Sequence, residues 1–212
     1  MPARPKPPKP TTIAFVRHGQ TPTTGKVLPG RARGLHLADE GRAQAQAAAQ
    51  RLGAYAKVAA VYASPLERAR ETAAPIGKAL GLRVVVDRGL LECDFGTWTG
   101  RELKELYKLP EWQQVQRNPS QFRFPDGESF LEMQARASDA VRRVVAAHPG
   151  EVVVCVSHAD PIKVLVADAM GSHLDHFQRF GVSPCSITVI AYSAGGPNVL
   201  CVNSTAALPG AA

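Results

Sequence analysis

Residues 12–21 read Thr12-Ile13-Ala14-Phe15-Val16-Arg17-His18-Gly19-Gln20-Thr21. A short apolar run is broken by two basic residues and a glycine. It predicts a buried strand over Thr12–Val16 that delivers Arg17 and His18 to its carboxyl end. Gly19 to Leu37 is rich in Gly, Pro and Thr and predicts a loop. Ala38 to Ala54 is built of good helix formers, with Asp39 and Glu40 suited to a helix start. Ala59–Ala63 is a second strand. A helix follows to Leu80, with Ser64 as its cap and Pro65 at its first position.

The same alternation continues. Arg83–Val86 is a third strand and Leu90–Gly100 a loop. Residues 101–126, punctuated by Pro110, Pro119 and Pro125, read as short helices and loops. A long helix spans Gly127–His148. A β-branched strand covers Glu151–Val156, and a helix covers Asp160–Met170. Ser186–Tyr192 and Asn198–Asn203 form a closing pair of strands around a Gly195-Gly196-Pro197 turn. Strands alternating with helices predict an α/β fold: three layers, a mostly parallel sheet with helices on both faces. In such sheets functional residues collect beyond the carboxyl ends of the strands. His18 ends the first strand, and His158, in Val156-Ser157-His158-Ala159-Asp160, ends the fourth.

Composition limits the function classes. The 212 residues suffice for one domain with a real core, and 45% of them are hydrophobic. No apolar run approaches the roughly 18 residues of a membrane helix, so no membrane partner is expected. The net charge of +7 invites nucleic acid, but the basic residues are scattered and no nucleic-acid motif appears, so an anionic small substrate is the expected partner. Cys93, Cys155, Cys185 and Cys201 form no CxxC pair, and Cys155 and Cys201 sit in strand-like runs. That usage suits a reduced, cytoplasmic setting. Residues 1–10 are basic and Pro-rich without an apolar segment and read as a disordered leader. The expected organisation is one domain over 11–205, with 101–130 a lid-like insertion and 206–212 a flexible tail. A homodimer is among the assemblies compatible with this reading.

Four segments in order resemble the histidine phosphatase superfamily, the phosphoglycerate-mutase-like enzymes. They are Arg17-His18-Gly19-Gln20-Thr21, Ser64-Pro65-Leu66-Glu67-Arg68-Ala69-Arg70, Leu91-Glu92-Cys93-Asp94-Phe95-Gly96, and Val156-Ser157-His158. The resemblance covers about Thr12 to Asn203. It implies that His18 is the nucleophile of a phosphohistidine intermediate, and that Arg17 and Arg68 bind phosphate. It also implies that His158 stabilises the transferring group and that Glu92 is the acid and base. Thr24, Gly30, Arg31 and Ala159 complete the implied substrate-binding set.

The physics fits these roles. A phosphomonoester carries about two negative charges, which planar guanidinium groups grip bidentately. Arg68 and Arg70 stand about 200° apart on a helix, so only one faces a common site. Asp94, two residues from Glu92, competes with it for the acid role. Arginines and histidines supply the positive charge, and no carboxylate cluster invites a metal, so neither metal nor cofactor is expected. His36, His148, His173 and His176 lack ligand-like spacing with the site motifs, and His173 and His176, three residues apart, read as part of a solvated helix or turn. Trp112, Phe122, Arg123 and Phe124 either cover the site and select substrate or pack as the core of the insertion.

Thr24, Arg33-Gly34-Leu35 and Ala159 depart from the common family pattern, which bears on the substrate rather than the chemistry. The Ser157-to-Lys163 run is similar to an actinobacterial subgroup described as phosphomutases or phosphatases. The short chain points to a metal-independent phosphatase of a small phosphorylated metabolite. A phosphomutase and a non-catalytic phospho-ligand-binding module are the alternatives.

Overall fold

The protein is described from a computed structural model over residues 8–54 and 57–206. Residues 1–7 of the expected leader and 207–212 of the expected tail lie outside the described residues. The strands are β1 (Thr11–Arg17), β2 (Val58–Ala63), β3 (Val84–Val86), β4 (Val152–Ser157), β5 (Ile187–Ser193) and β6 (Gly196–Ser204). The helices are α1 (Asp39–Leu52), α2 (Glu67–Leu80), α3 (Leu103–Leu106), α4 (Pro110–Arg117), α5 (Phe130–Ala147) and α6 (Ala159–Ala169).

The strands form one sheet in the order β3-β2-β4-β1-β5-β6. β1, β2, β3 and β4 are mutually parallel, because helices carry the chain back between them. β5 pairs antiparallel with β1 and with β6, so the sheet is mixed at that edge. The hairpin turn is Ala194-Gly195, since Ser193 already pairs with Gly196 and Pro197 lies in β6. That outer strand tolerates a proline, which has no N–H to donate to a neighbour.

β1 shows why three layers form. Its side chains alternate, and both sets are buried because helices cover both faces. Ala14 and Val16 pack with Ala45 and Leu52 of α1 and Ile76 of α2. Ile13 and Phe15 pack with Val141 and Val144 of α5 and Ile162 and Leu165 of α6. β1 and β4 are neighbours in register, with Arg17 opposite Ser157. His18 and His158, one residue further on each strand, are therefore brought together.

Two helix starts fall later than expected. α2 begins at Glu67 after Leu66, whose side chain makes no cap. The Ser64 hydroxyl is instead 2.8 Å from His158 Nε2. α5 begins after Ser129, which with Glu132 forms a reciprocal capping box. Gly127 is held out of that helix against the loop below: a Cβ there would lie 2.3 Å from the Asp94 carbonyl oxygen.

Residues 93–130 form a third core against α6 and the 3-10 turn at Leu174–Arg179. Phe124 sits edge-on to Phe95 at 4.8 Å, and Trp112 stacks on Trp98 at 6.2 Å. Phe122 and Phe124 are buried there. Arg123 pairs with Glu132 on the surface. Of the two roles open to these aromatic residues, core packing is the one observed.

Candidate active site

The site lies beyond the carboxyl ends of β1 and β4. The His18 N–H of the backbone donates to Ser157 O at 2.9 Å, which ties the two strand ends together. The Gly19 N–H donates to Thr72 Oγ1 of α2 at 3.0 Å. Gly19 must be glycine, since a Cβ would meet the Gly41 carbonyl oxygen at 2.5 Å. The loop after β1 is thus packed directly on α1.

His18 is 5% exposed, and its Nδ1 lies 2.8 Å from the Gly19 carbonyl oxygen. A carbonyl oxygen only accepts, so Nδ1 carries the proton and Nε2 presents its lone pair. Arg68 Nε donates to that Nε2 at 3.3 Å. Burial, and then the charges of Arg68 and Arg17, hold the His18 pKa well below the usual histidine range. The ring is therefore neutral at neutral pH, with one nitrogen aimed and unprotonated.

His158 precedes α6 and packs edge-on to His18, ring centres 5.1 Å apart. Burial and the same arginines keep it neutral as well. Arg68 is fully buried on the first turn of α2, while Arg70 points to solvent. Arg68 Nη2 donates to the Gly30 carbonyl at 2.7 Å, and Arg17 Nη1 donates to Val182 O at 2.6 Å. Arg17 Nε, Arg68 Nη1 and His158 Nδ1 are buried without a hydrogen-bond partner among the described residues. Orphaned buried polar groups of this kind are costly. All three belong to residues that neighbour His18.

Glu92 is 6% exposed, and its Oε1 accepts from the Cys93 N–H at 2.9 Å. Burial, then the negative charge of Asp160, raise its pKa to about 7. A carboxyl group near that value can give and take a proton at neutral pH. Asp94 faces away: it accepts from the Gly96 N–H at 3.1 Å and pairs with Arg31 at 3.3 Å. Arg17, His18, Glu92 and Ala159 line one cavity of about 240 Å³. Thr24, Phe95 and Leu103 form part of its wall, and Asp160 and Lys163 join them. Leu103 is the contribution of residues 101–130 to that lining.

Of the other residues of the expected binding set, Thr24 is at the cavity wall, while Gly30 and Arg31 are not among its lining. Thr24 Oγ1 accepts from the Thr21 N–H at 2.9 Å and shapes the loop at the cavity. Gly30 (φ +48°) contributes its carbonyl to Arg68 rather than a cavity surface, and a Cβ there would meet Thr99 Oγ1 at 2.7 Å. Arg31 turns towards the Glu92 carbonyl, Asp94 and Glu128. Sequence reasoning missed Ser64 and Thr72, which orient His158 and the His18 loop. A hydroxyl beside a strand end carries no periodic signal that would separate it from a cap.

Among the described residues no cluster of three or more His, Cys, Asp or Glu side chains is arranged to hold a metal, and no helix is long and apolar enough to cross a membrane.

The family model of the histidine phosphatase superfamily (branch 1) matches residues 13–205. A bifunctional protein of Mycobacterium tuberculosis is 34% identical over 204 residues, covering 92% of this chain but 54% of that protein. The chain thus spans about half the length of the first curated relatives it matches. Phosphoserine phosphatase 1 of Hydrogenobacter thermophilus is 31% identical over 183 residues, covering 84% of this chain and 85% of that protein. Among solved structures, a mycobacterial glucosyl-3-phosphoglycerate phosphatase superposes with a TM-score of 0.82 at 27% identity, over 92% of this chain and 99% of that one.

Proposed function

Since this chain belongs to the histidine phosphatase superfamily, we propose that it is a metal-independent phosphomonoesterase that hydrolyses a small phosphorylated metabolite through a phosphohistidine at His18. One observation carries the reading. The unprotonated Nε2 of His18, which accepts only from Arg68 Nε, lies in a cluster whose Arg17, Arg68 and His158 each keep a buried nitrogen unpartnered, beside a carboxyl poised near neutral pH.

The chemistry follows from that geometry. The phosphoryl oxygens take up the spare donors of Arg17 and Arg68. In this mechanism the Ser64 hydroxyl, 2.8 Å from His158 Nε2, donates to it, so that His158 keeps its proton on Nδ1 and offers it to the same group. His18 Nε2 attacks phosphorus as the P–O bond to the leaving group breaks. Neutral Glu92 gives its proton to the departing oxygen. Water then attacks the phosphohistidine, ionised Glu92 takes the water's proton, and the P–N bond breaks to release phosphate and free His18. The cation need is met by Arg17 and Arg68, which supports a metal-independent reaction. The four cysteines, three buried and Cys201 half-buried, are free among the described residues, which agrees with a cytoplasmic enzyme. The cavity of about 240 Å³ suits a small metabolite.

The test is rapid quenching with a labelled phosphomonoester. An acid-labile, base-stable label on His18 is expected, lost in His18→Ala together with turnover. A fully active His18→Ala protein sinks the proposal.

A further inference from the structure

The loop that carries Glu92 is held by charged groups that none of the site motifs contains. Arg136 lies on α5, remote in sequence. Its Nη1 donates to the Gly89 and Leu91 carbonyls at 2.8 and 3.0 Å, and its Nη2 donates to the Glu92 carbonyl at 3.3 Å. Arg31, from the loop after β1, donates through Nε to the same Glu92 carbonyl at 2.9 Å. Glu128 closes the group. Its two oxygens accept from Arg136 Nε and Nη2, both at 3.0 Å, and it pairs with Arg31 at 2.7 Å. One Glu128 oxygen also accepts from the Asp94 N–H at 3.2 Å. Two cations thus converge on the backbone oxygen of one residue, and one anion holds both.

A merely solvated surface ion pair would not look like this. Arg136 and Glu128 side chains are 22% and 18% exposed, and every donor nitrogen of Arg136 has a fixed acceptor. Burial pushes the Glu128 carboxyl up, but hydrogen bonds from Arg136 and Arg31 outweigh it and hold the group below the usual carboxylate range. The group remains ionised as an anchor. The neighbouring peptide extends the chain of contacts: Gly30 O accepts from Arg68, while Arg31 donates to Glu92 O. Arg68 and the backbone of Glu92 are therefore linked through the Gly30 carbonyl and the side chain of the next residue, Arg31.

We infer that Arg136, with Arg31 and Glu128, is a positioning clamp that sets the reach of Glu92 to the leaving oxygen and couples it to phosphate binding by Arg68. The inference rests on the proposed phosphatase reading. A guanidinium is required because three carbonyls and a carboxylate are held in a planar fork, which an ammonium cannot reproduce. Misplacement of an acid by about 1 Å can cost on the order of 10²-fold. The loss falls on leaving groups that need a proton.

The experiment is single-turnover phosphorylation of Arg136→Lys by an alkyl phosphate and by 4-nitrophenyl phosphate. The alkyl substrate is expected to slow at least about ten-fold more than the nitrophenyl one. In a Glu92→Gln background, Arg136→Lys is expected to add no further difference between the two. A structural defect would slow both equally, and that result, or an unchanged ratio, overturns the clamp. If Arg136→Lys has no cooperative unfolding transition, Arg31→Lys decides by the same ratio. The two readings separate cleanly. A wild-type protein that forms no phosphohistidine refutes the phosphatase proposal, whereas a labelled wild type with an unchanged ratio in the variants refutes the clamp alone.

Discussion

Glu92→Gln should stabilise the protein, and by an amount that depends on pH. The carboxyl is buried and its pKa rises from 4.5 to about 7, mainly through burial. At about 1.4 kcal/mol per pH unit, that rise corresponds to about 3 kcal/mol. The sign follows from proton binding. Between pH 4.5 and 7 the folded state holds a proton that the unfolded state has released, so stability falls as pH rises across this window. Above it the cost is constant, and below it the cost vanishes. Glutamine keeps the shape and the oxygen that accepts from the Cys93 N–H, but it never ionises. The variant should therefore exceed the wild type by under about 1 kcal/mol at pH 5 and by about 3 kcal/mol at pH 8. For a domain of this size the larger figure is on the order of 6–12 °C in Tm. Thermal or urea unfolding of both proteins from pH 5 to 8.5 reads the difference. A stability difference that stays flat with pH would show that Glu92 ionises at an ordinary value in the folded protein. The proton-shuttling role would then lose its physical basis.

Three further outcomes are expected. Arg68→Ala should weaken inhibition by inorganic phosphate at least about ten-fold, as expected for loss of a charged hydrogen-bond donor, whereas Arg70→Ala should leave it within about two-fold; the reverse order in a competition assay would exchange their roles. In the phosphorylation step, Glu92→Gln should cost an alkyl phosphate on the order of 10² to 10⁴ in rate and 4-nitrophenyl phosphate far less, while Asp94→Asn should show no such split; equal losses would make Glu92 a structural group. Phe124→Ala, in the core of residues 93–130, should cost about 3–5 kcal/mol in chemical denaturation; KM should hold within about two-fold at a temperature where the variant is folded, and a large KM change without a stability loss would restore Phe124 as a selecting residue.

Much of this protein could be read from residue order alone. The β1 run and its abrupt Arg17-His18-Gly19 ending marked a strand that feeds a site, because burial on both faces demands an unbroken apolar stretch. The same logic placed β4 and His158. Helical periodicity alone separates Arg68 from Arg70, since an angle of about 200° cannot serve one cavity. What the sequence left open needed distances between residues far apart in the chain. Ser64 resembles a helix cap locally, yet its hydroxyl faces His158 across 94 positions. Phe122 and Phe124 could have lined a lid or filled a core, and only the packing of residues 93–130 on α6 decided it. Glu92 and Asp94 are two residues apart with the same chemistry. Their difference lies in what surrounds them, burial for one and Arg31 with solvent for the other. Arg136 illustrates the limit best. Its role consists of hydrogen bonds to backbone carbonyls 44 to 47 residues away. Backbone acceptors are the same for every residue type, so only the folded chain can show which ones an arginine will find.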